Sequence, residues 1–68
     1  MKFTLEFERE DDGRWLAEVP ELPGVLAYGN SPDEAIAHAK ALALRVVADQ
    51  LEHDERSAQI NDISFAMV

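Results

Sequence analysis

Between Asp12 and Ala39 the chain passes from residues that force turns to residues that build strands, and then opens a helix. The segment reads Asp-Gly-Arg-Trp-Leu-Ala-Glu-Val-Pro-Glu-Leu-Pro-Gly-Val, and after Leu26-Ala27 continues Tyr-Gly-Asn-Ser-Pro-Asp-Glu-Ala. The helix start is the firmest signal. Ser31 is an N-cap residue, Pro32 fits the first helical position, and Asp33 favours the positive end of the helix dipole. Glu34 completes a Ser-x-x-Glu capping box. From there to about His53 no glycine or proline interrupts the helix formers.

Upstream, Lys2 to Glu8 alternates with a period of two. Phe3, Leu5 and Phe7 share one face; Thr4, Glu6 and Glu8 share the other. That is a half-buried strand. Asp12-Gly13 signals a hairpin, because both residues tolerate the positive φ of tight turns. Arg14 to Val19 alternates again, with Trp15, Ala17 and Val19 opposite Leu16 and Glu18. Pro20 cannot donate to a strand ladder and closes this second strand. In the bend Glu21-Leu22-Pro23-Gly24, Pro23 presets φ and Gly24 takes the positive φ of a type II turn. Val25 to Tyr28 reads as a short third strand ending at Gly29. A charged and polar stretch, His53 to Gln59, reads as a loop. Ile60 to Val68 places Ile63, Phe65 and Met67 on one face, which predicts a fourth strand.

At about 100° per residue, Ala35, Ile36, Ala39, Leu42, Ala43, Val46 and Val47 fall on one arc of the helix and should face the sheet. A second apolar strip, with Ala37, Leu44, Ala48 and Leu51, lies beside it. One helix on one sheet does not require that strip. Leu44, Ala48 and Leu51 are therefore candidate oligomer-interface residues. The fold expectation is α+β in the order β-β-β-α-β, with one helix packed on a small antiparallel-type sheet.

With 68 residues, the chain reads as one domain (1–68). It has a small core and no cysteine with which to reinforce it. Self-association is an obvious way to add stability, so a homo-oligomer is expected. Acids outnumber bases 14 to 6, giving a net charge of −8. Such a surface repels phosphate backbones and suits basic protein partners, so no direct nucleic-acid binding is expected. No segment has the roughly 20 apolar residues of a membrane span. The N-terminus lacks the apolar core of a secretory signal, which leaves the cytoplasm as the expected location.

Residue chemistry points away from catalysis. There is no Gly-x-Ser-x-Gly elbow, no phosphate-binding glycine loop and no Cys/His cluster with metal-ligand spacing. The strand acids Glu6, Glu8 and Glu18, and the turn acids Asp11-Asp12 and Asp54-Glu55, carry no spacing that forces several of them onto one metal ion. His38 and His53 are about four turns apart on the helix, too distant to share a ligand. No cofactor is expected. Trp15 reads as a core anchor if Phe3, Leu5 and Phe7 pack beside it, and otherwise as an exposed contact. Leu16, Leu26 and Tyr28 fall on the sheet face that a single helix leaves open, where a partner could cover them.

The constellation Asp12-Gly13, Trp15, Ala17-Glu18-Val19-Pro20, Leu22-Pro23-Gly24, Gly29, Ser31, Glu34-Ala35 and Ala39 resembles the HicB-like antitoxin family. The resemblance implies a partial ribonuclease-H-like fold. It also implies an N-terminal domain that binds and neutralises HicA, a small ribonuclease that cuts messenger RNA. Many members add a C-terminal helix-turn-helix or ribbon-helix-helix segment that binds operator DNA. This sequence carries no such segment after Val68, so operator binding is not carried over.

The reading that results is an antitoxin-like, non-enzymatic protein that occludes a small basic HicA-like toxin. The candidate partner-binding residues are the carboxylates Glu6, Glu8, Glu18 and Glu21, with Leu16, Leu22 and Tyr28 for contact. Two other classes stay open: a stand-alone interaction and oligomerisation module without a toxin, and a divergent metal-dependent nuclease.

Overall fold

The computed structural model describes residues 1–53 and 60–68. The chain runs β1 (Lys2–Arg9), β2 (Trp15–Glu18), β3 (Leu26–Gly29), α1 (Pro32–Glu52) and β4 (Ser64–Met67). The four strands form one sheet in the order β3-β2-β1-β4, and α1 packs on one of its faces. The α+β architecture and the element order match the sequence reading. Of the polar loop expected at His53 to Gln59, residues 54–59 lie outside the described residues.

One expectation is corrected. The sheet is mixed rather than antiparallel: β1 pairs antiparallel with β2 but parallel with β4, with Phe3 opposite Phe65 and Leu5 opposite Met67. Parallel pairing needs a crossover connection, and α1 is part of that crossover. Alternation reveals which residues share a face and says nothing of strand direction. The register is fixed by packing: the Phe3 and Phe65 rings lie 5.7 Å apart between centroids, and the Lys40 ammonium sits 5.7 Å from the Phe65 ring centre.

The first connection is a three-residue loop, Asp11-Asp12-Gly13. Gly13 N–H donates to the Glu10 carbonyl, Glu10 N–H donates to the Arg14 carbonyl, and Gly13 adopts φ +89°. This is the turn-plus-bulge connection that matches the twist of paired strands. The second connection contains the anticipated type II turn. Val25 N–H donates to the Leu22 carbonyl, and Gly24 takes φ +85°.

Ser31 caps α1 from an extended backbone, its hydroxyl accepting the Glu34 N–H at 3.1 Å. The box closes one residue earlier than the usual pattern, because the Glu34 carboxylate accepts the N–H of Asn30 rather than that of Ser31. Ala35, Ala39, Ala43 and Val47 are the buried stripe of the helix, with Ile36, Leu42 and Val46 half-buried beside them. This is the arc anticipated from sequence. Beneath it lie Phe3, Leu5, Ala17, Val19, Leu22 and Val25. Trp15 is half-buried against this core and 6.2 Å from the Phe7 ring, as the core reading of that residue requires.

The helix begins close against β3. A Cβ on Gly29 would lie 2.5 Å from the Ala35 nitrogen and 2.9 Å from the Glu34 carbonyl carbon. Both obstacles are backbone, so no side chain can swing aside. Gly29→Ala should therefore cost about 1–3 kcal/mol by forcing the first helical turn away from the sheet. Thermal unfolding followed by circular dichroism checks this; an unchanged midpoint would mean that the helix start gives way freely.

Candidate functional site

Among the described residues, nothing packs over the face of the sheet opposite α1. Strand alternation directs Glu6 and Glu8 of β1, Leu16 and Glu18 of β2, and Leu26 and Tyr28 of β3 toward it. The register arranges them in two rungs. Glu8, Leu16 and Tyr28 lie side by side across the sheet, and Glu6, Glu18 and Leu26 form the next rung. Directly opposed residues on antiparallel strands have Cβ atoms about 5 Å apart. The result is a diagonal division, with carboxylates toward β1 and apolar side chains toward β3.

Leu26 and Tyr28, on the edge strand β3, are 45% and 40% exposed and form the apolar end of this face. The Arg14 guanidinium covers Tyr28 at 4.4 Å from the ring centre, a cation–π contact. Arg14 is itself fixed by Asp12, whose two carboxylate oxygens accept the Arg14 N–H at 3.0 Å and its Nε–H at 2.7 Å. The backbone and side-chain hydrogen bonds from Arg14 hold the Asp12 carboxyl below its ordinary pKa. The hairpin loop thus positions a cation over the apolar end of the face.

Glu6 and Glu18 face each other directly across β1 and β2. Like charges opposed in a ladder are destabilising. Among the described residues, no ion pair involves Glu6, Glu8 or Glu18. The three carboxylates, with Phe7, Leu16 and Val68, line an open depression beside the end of β4. Among the described residues, no group of three or more His, Asp or Glu side chains is placed to hold a metal ion.

The sequence-selected residues therefore separate. Glu6, Glu8, Leu16, Glu18 and Tyr28 share the open face. Leu26, assigned to that face by alternation, belongs with them. Leu22 does not: at 4% exposure it is a core residue, so it offers a partner no surface. The bend that holds it folds back under the helix, and the Leu22 N–H donates to the Val19 carbonyl. A bend has no periodicity from which burial could have been read.

Glu21 is also engaged within the chain. Its carboxylate accepts the Thr4 N–H at 3.0 and 3.1 Å and the Thr4 hydroxyl at 2.7 Å. This clasp ties the second bend to β1 beyond the end of β2. The backbone and side-chain hydrogen bonds from Thr4 hold the Glu21 pKa below its ordinary value of 4.5. A carboxyl whose pKa falls on folding stabilises the fold above its unfolded pKa and loses that contribution as pH falls through the folded one. Glu21→Gln should melt below the wild-type chain at pH 7. The two melting curves should converge once the pH is taken well below 4.5, and a gap independent of pH would assign the effect to shape rather than charge.

His38 and His53 are exposed, and each donates Nδ1–H to a backbone carbonyl, of Tyr28 and Asp49 respectively. Leu44, Ala48 and Leu51 lie on the outward side of α1, away from the sheet. Among the described residues, no helix is long and apolar enough to cross a membrane.

No protein-family model matches the chain, and no solved structure matches it. The UPF0150 protein Ta0767 of Thermoplasma acidophilum is 28% identical over 61 residues, covering 90% of this chain and 88% of that protein. The chain is thus similar, over nearly its whole length, to an archaeal UPF0150 protein.

Proposed function

We propose that this chain is an antitoxin-like binding protein that neutralises a small, basic, RNA-cleaving toxin of the HicA type by covering its RNA-binding surface. The observation that carries this reading is the open sheet face. It combines exposed Leu26 and Tyr28 with Glu6, Glu8 and Glu18, carboxylates in no described ion pair. A toxin that grips RNA must present cations, and a partner with this pattern attracts them and buries apolar surface beside them. The net charge of −8 adds long-range attraction. UPF0150 is the HicB-like group, which agrees with the constellation between Asp12 and Ala39. Occlusion asks for no reacting group in the binder, and the cytoplasm, where messenger RNA is translated, is its place of action.

Co-expression with the product of an adjacent gene for a small basic protein tests the reading. A stoichiometric complex that survives purification supports it. Soluble folding of both chains without association would instead favour a stand-alone interaction module.

A further inference from the structure

The outward side of α1 has a periodicity of its own. Ala37, Ala41, Leu44, Ala48 and Leu51 follow one another at steps of four, three, four and three residues. This is the 3.5-residue repeat by which two helices pack along a shared seam. All five are exposed, Leu44 at 45% and Leu51 at 39%. None belongs to the buried stripe of Ala35, Ala39, Ala43 and Val47. A helix that packs only on its own sheet shows polar residues on its solvent side.

The charges beside the seam indicate what covers it. Arg45 and Glu52 each follow a seam leucine by one residue, so they lie on the same flank with opposite signs. Lys40 borders the other flank, and no carboxylate occurs between Glu34 and Asp49. Two identical helices packed in parallel would bring Lys40 of one copy against Arg45 of the other, cation against cation. Turned antiparallel, the Arg45–Glu52 flank meets its own reverse. Arg45 of each copy then reaches Glu52 of the other, and two-fold symmetry makes the pair twice.

We propose that this chain forms a two-fold dimer through antiparallel packing of α1 on α1. Leu44 of one copy lies beside Leu51 of the other, and Ala48, near the two-fold axis, lets the helices approach closely. Because α1 is already ordered on its sheet, pairing does not have to nucleate the helix. The dimer lies on the opposite side of the sheet from the Glu6, Glu8 and Glu18 face and leaves that face free. The proposal does not depend on the toxin-binding reading.

Light scattering on the purified chain, at concentrations rising to the millimolar range, should give the mass of two chains. Leu44→Glu should give the mass of one, with helix content by circular dichroism unchanged. Arg45→Glu should weaken the dimer by about tenfold or more, since one tenfold step is only about 1.4 kcal/mol. Combining Arg45→Glu with Glu52→Arg should restore it, because both reciprocal pairs reform with signs exchanged. This second arm stands even if Leu44→Glu fails to fold. A chain that is monomeric throughout, a dimer indifferent to Leu44→Glu, or a charge exchange that fails to rescue Arg45→Glu would each overturn the proposal.

Discussion

Leu5→Ala should leave little or no cooperatively folded protein at 25 °C. Leu5 is completely buried, lies opposite Met67 of β4 and belongs to the core beneath α1. Its carbonyl accepts the Val68 N–H at 3.2 Å, so the residue is fixed where β4 joins the sheet. Truncating a buried leucine removes its transfer free energy and leaves a cavity that the neighbours fill only in part, at a cost of about 2–5 kcal/mol. The described core is small and three of its four buried helix residues are alanine, so few large side chains can move into the gap. Domains of this size often have total stabilities of only about 3–5 kcal/mol. Urea unfolding followed through Trp15 fluorescence measures the effect, at one fixed protein concentration. Leu26→Ala on the open face is the control, and should stay within about 0.5 kcal/mol of the wild-type chain. A Leu5→Ala midpoint equal to that of the control would displace Leu5 from the centre of the core.

The second large effect concerns binding. Replacing Glu8 and Glu18 together by lysine should weaken the complex with the proposed basic partner by about 100-fold, equivalent to about 2.7 kcal/mol. Close charge pairs across protein interfaces have measured couplings of about 1.5–7 kcal/mol, so the loss of two attractions and the gain of two repulsions is ample for that change. The same substitutions should not harm the fold. Glu18→Lys converts the opposed Glu6 and Glu18 carboxylates into an opposite-charge pair, which favours the ladder by about 0.2–1 kcal/mol. Stability therefore holds or rises while affinity falls. That combination marks residues kept for a partner at the expense of the monomer. Titration calorimetry and melting temperature, measured on the same preparation, test both halves. A parallel loss of stability and affinity would mean that the carboxylates serve the sheet.

Much of the architecture was legible because it depends on local chemistry. Ser31, Pro32 and Glu34 determine the start of α1 within a few residues of themselves, and alternation determines which of Phe3, Leu5, Trp15 and Ala17 turn toward the helix. The open face could be read for the same reason, since parity alone puts Glu6, Glu8, Leu16, Glu18 and Tyr28 together. What could not be read is the pairing of elements distant in sequence. The direction of β4 follows from the crossover and from the Phe3–Phe65 contact, neither of which alternation encodes. The rungs that set Glu6 against Glu18 depend on the three-residue loop at Asp11-Asp12-Gly13, whereas Asp12-Gly13 read as the tight turn itself. Leu22 and Glu21 escaped because a bend lacks a period. One side chain turns into the core, and the other crosses to Thr4 at a distance in sequence of 17 residues.

The two proposed interaction surfaces lie on opposite sides of the molecule. The open sheet face is acidic and apolar and suits a cationic partner. The outer side of α1 carries a seam with Lys40 and Arg45 beside it and suits another copy of the chain. Substitutions on one should leave the other unaffected, because the whole thickness of sheet and helix lies between them.

The proposed role of this chain is to act on another macromolecule by covering it. The sharpest measurement is the rate of RNA cleavage by a HicA-type toxin, the proposed partner, as the purified chain is added in increasing proportion. Cleavage should fall to zero at a fixed stoichiometric ratio, and the Glu8→Lys, Glu18→Lys chain should shift this endpoint far to higher ratios. Undiminished cleavage at saturating amounts of the folded chain, or turnover of RNA by the chain on its own, would contradict it.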